Sequence, residues 1–143
     1  MVNYYILVGD NRTWRTAFSK NIWGFTEKTK KLWEAIEKGD VVCFYVKKPT
    51  KKIIGFGIIY KKFQKSEIFW PDEIISKKVL WPYRMKFKPI HIIDNWDDGL
   101  EPPSNIILNQ GRKKISKMIF LDFINSIEVK WGLKKKDIEL ISQ

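Results

Sequence analysis

Two apolar runs joined by a lysine-rich turn constrain this chain more than any other feature. Val41–Val46 reads Val-Val-Cys-Phe-Tyr-Val, and Ile53–Tyr60 follows after Lys47-Lys48-Pro49-Thr50-Lys51-Lys52. Short apolar runs bounded by turn residues are the pattern of buried strands, and this pair predicts an antiparallel hairpin. Gly55 and Gly57 lie inside the second run. Glycines there permit a bend or a close backbone approach.

The other elements arrange themselves around that hairpin. Asn3–Val8 predicts a buried strand ended by Gly9-Asp10. Asp10 or Asn11 can cap a helix over Arg12–Ser19, with Trp14, Ala17 and Phe18 at helical spacing. Asn21–Phe25 is expected to be a loop or short extended piece. Thr26–Glu37 predicts an amphipathic helix carrying Leu32, Trp33 and Ile36 on one face, stopped by Lys38-Gly39-Asp40. Gln64–Ser76 reads as irregular and interrupted at Trp70-Pro71, Tyr83–Ile93 as a half-buried alternating strand, and Asp94–Ser104 as a polar loop. Further on, the pattern predicts a helix over Ser116–Ile127, a strand at Glu128–Trp131 and a helical turn over Lys136–Ile141. Together these predict a single α+β domain over residues 1–143, with a strongly curved or barrel-like mixed sheet flanked by short helices.

Charge narrows the class of partner. The net charge is +11, and residues 1–65 alone carry 14 basic and 5 acidic side chains. An acidic loop holds Asp94, Asp97, Asp98 and Glu101. Such a balance favours polyanions, nucleic acid above all, although a solvated lysine-rich surface is the plainer alternative. A lone cysteine, Cys43, lies in an apolar strand, so no disulfide framework is expected and a cytoplasmic location is the default. No apolar stretch has the length of a membrane span, and no membrane partner is expected. Catalysis and cofactors are not expected either. His91 stands alone in Pro89-Ile-His-Ile-Ile, no Cys/His spacing suits a metal, and no phosphate-binding glycine loop is present.

Tryptophans supply the sharper signal. Trp14, Trp33 and Trp131 read as core, while Trp96 falls in the acidic loop. Trp23, Trp70 and Trp81 each stand beside a glycine or proline, where regular structure breaks. Flat apolar surfaces at such breaks, within a positive field, suit a base held out of its stack. The alternative is that they plug one end of the sheet.

Several segments, taken in order, resemble the EVE domain of the PUA-like superfamily. They are Tyr4-Tyr-Ile-Leu-Val, Asn11-Arg12-Thr-Trp14, Asn21-Ile-Trp23-Gly24, Glu37-Lys-Gly39-Asp40, Ile54-Gly55-Phe-Gly57 and Trp81-Pro-Tyr83-Arg84-Met-Lys-Phe-Lys88-Pro89. The likeness covers residues 3–93 well and the remainder loosely. The layout is also similar to the YTH domain, which holds an N6-methylated adenine between aromatic rings, and to the N-terminal domains of McrB-type modification-dependent restriction proteins.

That resemblance implies a reader of a flipped, methylated base, N6-methyladenine or a modified cytosine. DNA is favoured over RNA, with a AAA+ motor domain in cis if the parent is McrB-like. It implies a cage of Trp23 and Trp70 as walls and Trp81, or Leu80 beside it, as a third side. Asp10 and Asn11 would read the base edge. Trp23 is followed by Gly24-Phe25 where YTH domains carry Ser-Thr, a departure that bears on YTH-style hydrogen bonds at that corner and leaves the aromatic wall available. For the nucleic-acid backbone the candidates are Arg12, Arg15, Lys20, Lys47, Lys48, Arg84, Arg112 and Lys113. The rival readings are an RNA-binding PUA-like protein and a sensor of a free nucleobase or nucleotide.

Overall fold

In the computed structural model, residues 2–102, 112–116, 118–120 and 131 are described. The chain runs β1 (Tyr4–Gly9), α1 (Asn11–Lys20), β2 (Ile22–Phe25), a 3-10 turn (Glu27–Thr29), α2 (Lys30–Ala35), β3 (Val41–Val46) and β4 (Lys52–Gln64). It continues with α3 (Pro71–Ser76), β5 (Tyr83–Ile92), a second 3-10 turn (Trp96–Asp98) and β6 (Arg112–Ile115). These strands form one mixed sheet in the order β2-β5-β4-β3-β1-β6. Among the described residues only β1 and β3 pair in parallel, across the crossover that contains α1, β2 and α2.

Period-two alternation explains why both sheet faces are covered. Along β1, Tyr5 and Leu7 enter one apolar cluster with Trp14, Trp23, Phe44 and Phe87. Tyr4, Ile6 and Val8 enter the other, with Cys43, Phe56 and Phe120. Curvature comes from β4, whose register against β5 shifts at Phe56/Gly57 and again at Ile59/Lys61. The two glycines are required there. A Cβ at Gly55 would fall 2.2 Å from the His91 carbonyl oxygen, and one at Gly57 would fall 2.7 Å from that of Lys88.

The hairpin, the first strand and the capped first helix form as the sequence predicts. Asp10 accepts the Thr13 N–H at 2.7 Å and is the N-cap of α1. Thr26–Glu37 departs from the expected single helix. It breaks into the 3-10 turn and the short α2, and Ile36 turns extended to become fully buried. Burial of Ile36 wins over helix continuation, and the Lys62 ammonium caps the exposed Trp33 and Glu34 carbonyls at 3.0 and 3.1 Å. Asn21–Phe25 contains a true strand, β2, and the segment read as irregular contains α3. Trp131 is helical where a strand is expected, and residues 118–120 are helical within the predicted Ser116–Ile127 helix. Ser116 is described and not helical, while the rest of those two segments and Lys136–Ile141 lie outside the described residues.

Candidate binding site

Curling carries the end of β1 toward the edge strand β2, although the two are not hydrogen-bonded neighbours. Contact is tightest at Gly9, where a Cβ would lie 2.5 Å from Cη2 of Trp23. Along this seam opens a cleft of about 330 Å³. Val8, Gly9, Trp23, Gly24, Phe25, Trp70 and Trp81 give it apolar walls, and Asp10, Thr13, Thr26, Thr29, Lys47 and Asp72 give it polar ones. Its size falls at the lower end of small-ligand sites, roughly 300–1,000 Å³, which suits one heterocycle and not an extended chain.

The aromatic walls are built in two different ways. Trp23 is 6% exposed and stacks on Trp14, with ring centroids 4.0 Å apart and planes at 19°. Trp14 is itself fixed, its indole N–H donating to the Tyr45 carbonyl at 2.8 Å. Trp70 and Trp81 instead meet edge to face, 5.4 Å apart at 72°. Gly24 lets them close on β2, since a Cβ there would come within 2.5 Å of the Trp81 Cβ and 2.8 Å of Trp70 Cη2. This gives a physical reason for glycine after Trp23. Trp81 is half-buried and is the most accessible of the three rings, while Trp70 is 1% exposed and forms a floor.

A fully buried carboxylate, Glu73, holds both tryptophan-bearing turns. Its Oε1 accepts the N–H groups of Phe69 and Trp70 at 2.9 and 3.1 Å, and its Oε2 those of Leu80 and Trp81 at 2.8 and 3.2 Å. Arg84 completes the cluster at 2% exposure, 3.4 Å from Glu73 Oε1. The Arg84 guanidinium also donates to the Trp81 carbonyl at 3.0 Å and to the Glu67 carbonyl, and it lies 5.1 Å from the centre of the Trp70 ring. Burial pulls the Arg84 guanidinium below its ordinary value, opposed by the charges of Glu73 and Glu67.

The polar lining of the cleft consists of Asp10, Asp72, Thr13, Thr26, Thr29 and Lys47; the Thr26 and Thr29 hydroxyls lie 3.1 Å apart, and one Asp10 carboxylate oxygen accepts the Thr13 N–H. Because β2 is an edge strand, alternate N–H and C=O groups along it face away from β5 and can meet the edge of a bound ring. Carboxylates beside an apolar slot select a ligand edge that carries N–H donors, such as an exocyclic amine.

Of the residues expected to bind a base, the structure brings Trp23, Trp70, Trp81 and Asp10 to this one cleft. Asn11 and Leu80 are not among its lining residues. Asn11 uses its side-chain oxygen to accept the Arg15 Nε–H at 2.7 Å, and Leu80 contributes its backbone to the Glu73 cluster. Lys47 lines the cleft, while Arg12, Arg15, Lys20 and Lys48 are exposed around α1 and the β3–β4 turn. Arg15 lies over the Trp96 ring at 4.3 Å and Lys20 is 5.8 Å from that of Phe69. Arg84 is a correction: it is buried, and its charge serves Glu73 and two carbonyls, out of reach of a phosphate. Arg112 and Lys113 belong to β6 by backbone, and their side chains lie outside the described residues. Glu73 escaped the sequence reading, which took Gln64–Ser76 as irregular. Trp70-Pro71-Asp72-Glu73 nevertheless carries a helix-start signal, with proline at N1 and acidic residues in the first turn.

Comparison with solved structures shows a YTH-like α+β fold. A YTH domain-containing protein, mmi1, in an RNA complex superposes with a TM-score of 0.61 at 14% identity, covering 92% of this chain and 87% of that one. The YTH domain of a Zygosaccharomyces rouxii protein, in complex with N6-methyladenosine RNA, gives 0.60 at 12% identity, covering 87% and 86%. Among curated proteins, the chain is 23% identical over 117 residues to a UPF0310 protein of Pyrococcus abyssi, 76% of this chain and 81% of that one. It is 29% identical over 103 residues to a UPF0310 protein of Pyrococcus horikoshii, 64% and 68% respectively. No family model matches the chain.

Proposed function

We propose that this protein binds nucleic acid and receives one base, turned out of its stack, in the cleft at the β1–β2 seam, with a preference for a methylated base. The observation that carries the reading is the convergence of Trp23, Trp70, Trp81 and Asp10 on one slot of about 330 Å³. Extruding a base costs a few kcal/mol, and stacking on an aromatic ring returns about 1–3 kcal/mol per base. An N-methyl group adds apolar area that the indole edges can cover, while the remaining N–H meets a carboxylate.

Exposed Arg12, Lys20 and Lys48, with Lys47 at the cleft, supply attraction to phosphates. A free nucleotide suits the slot less well, since Asp10 and Asp72 oppose its phosphate. The chain acts in this reading as a binding module: its single thiol, Cys43, is buried, which pushes its pKa up to about 12 and makes it a poor nucleophile. As to the polymer, solved neighbours in complex with methylated RNA support testing RNA first. Methylated DNA, the substrate of a McrB-type setting, is the second arm.

Binding isotherms at fixed salt, with matched oligonucleotides differing only in one methyl group, test this reading. RNA carrying N6-methyladenosine, DNA carrying N6-methyladenine or a methylated cytosine, and their unmodified forms make up the set. Tighter binding of one methylated member, abolished by Trp81→Ala, is the expected result. Equal affinity across every pair overturns the modified-base reading.

A further inference from the structure

We infer that Glu73 is a positioning residue that clasps the two tryptophan-bearing turns into one rigid wall, so that the cleft exists before ligand arrives. This goes beyond the proposed function and rests on it only for its binding consequence.

The four N–H groups it accepts come from two separate stretches of chain, Phe69-Trp70 and Leu80-Trp81. Each oxygen serves one stretch. Trp70 precedes α3 and Trp81 precedes β5, and the ring pair they carry is not joined by any direct hydrogen bond among the described residues. The carboxylate beneath them joins the two stretches by hydrogen bonds, with Arg84 and the close packing on Gly24 beside it. Arg84 pairs with the carboxylate in turn and reaches Trp81 again through its carbonyl. Nothing about the arrangement serves α3 alone. A glutamate at N3 needs only the Trp70 N–H to close a capping box, and Oε2 is spent wholly on the distant turn.

Glutamine at this position separates the two roles. Its oxygen can stay on Arg84, Phe69 and Trp70, but its amide then presents N–H donors to the Leu80 and Trp81 N–H groups. Donor faces donor, so Glu73→Gln releases the Trp81 turn while keeping volume and the α3 cap. Two indoles at this separation couple excitonically and give paired bands of opposite sign in circular dichroism. Taking each protein minus its Trp81→Phe derivative isolates that couplet from the Trp14–Trp23 pair. We expect the couplet to fall by more than half in Glu73→Gln, with a cooperative thermal transition retained. Affinity for the methylated oligonucleotide should fall about three- to tenfold, the cost of re-immobilising a wall side chain on binding. Binding of the unmodified oligonucleotide should fall by less, so that the methyl preference narrows.

An undiminished couplet in Glu73→Gln overturns the clasp, whatever the protein binds. If the wild type shows no methyl preference, the proposed function fails while the couplet still judges the clasp. Should the variant not fold, hydrogen exchange of the wild type decides: slow exchange of the Leu80 and Trp81 amides together with those of Phe69 and Trp70 supports it. Exchange of the Leu80 and Trp81 amides at the rate of open loops overturns it.

Discussion

Asp40 and Glu73 are both buried carboxylates that collect backbone N–H groups, yet they govern different regions. Asp40, 2% exposed, accepts from Asn3 at 3.0 Å and Glu37 at 2.8 Å, while its own carbonyl accepts the Ile59 N–H at 2.9 Å. It ties the start of β1, the exit from α2 and the body of β4 into a closed corner of the sheet. Glu73 does the same for two turns that carry aromatic rings to a cleft. At Asp40 the carboxylate closes a corner of the sheet; at Glu73 it joins two turns that border a cleft. Both carboxylates support stability, and in the proposed reading Glu73 alone also bears on binding.

The comparison breaks most visibly at Glu73→Ala. Four N–H groups, one buried and three part-buried, would lose their acceptor, and the Arg84 guanidinium its opposite charge. A loss of about 3–5 kcal/mol is expected, read as a lowered urea midpoint. Asp40→Asn should cost less, about 1–3 kcal/mol, because the amide retains one acceptor while turning a donor toward the other N–H. Its folded fraction should keep the full methyl preference, and a loss of preference would erase the distinction drawn here. On the binding side, Trp81→Ala should remove about 1–3 kcal/mol of affinity for the methylated oligonucleotide with little change in unfolding. Gly24→Ala should act in the same direction by thrusting a methyl group into the Trp70–Trp81 contact, and it should also lower stability by about 1–3 kcal/mol through overpacking. The smallest effect belongs to Lys47→Ala. It should weaken modified and unmodified strands alike and reduce the salt slope by about 0.7–0.9.

How much of this was legible depended on which physical force set each element. The strands β1, β3, β4 and β5 announced themselves because apolar composition and period two are properties of the chain alone. The α1 cap did so for the same reason. The helix expected over Thr26–Glu37 failed at Ile36, whose burial depends on what lies opposite and not on its neighbours in sequence. The α3 helix was hidden by its apolar residues, since Ile74 and Ile75 are 61% and 68% exposed and mark no buried face. Trp23, Trp70 and Trp81 were visible because glycine or proline adjoins each of them. Arg84 misled because it alternates with Lys86 and Lys88 as an outward residue would, whereas the Trp70 turn covers that side of β5. Glu73 could be read as a helix-start residue, but its reach to Leu80 and Trp81 is set by the folded arrangement of two turns.

The unjoined seam between β1 and β2 has a consequence for how such a scaffold diversifies. Side chains at positions 23, 70 and 81 project where the sheet's hydrogen-bond ladder does not run between facing strands. In the proposed reading, exchanging Trp81, the half-buried ring, would alter what the slot accepts without asking any strand pair to find a new register, whereas Trp23 and Trp70 belong to the core and tie the slot to the framework. Gly55, Gly57 and Asp40 meanwhile keep the sheet curled and closed at its other corner.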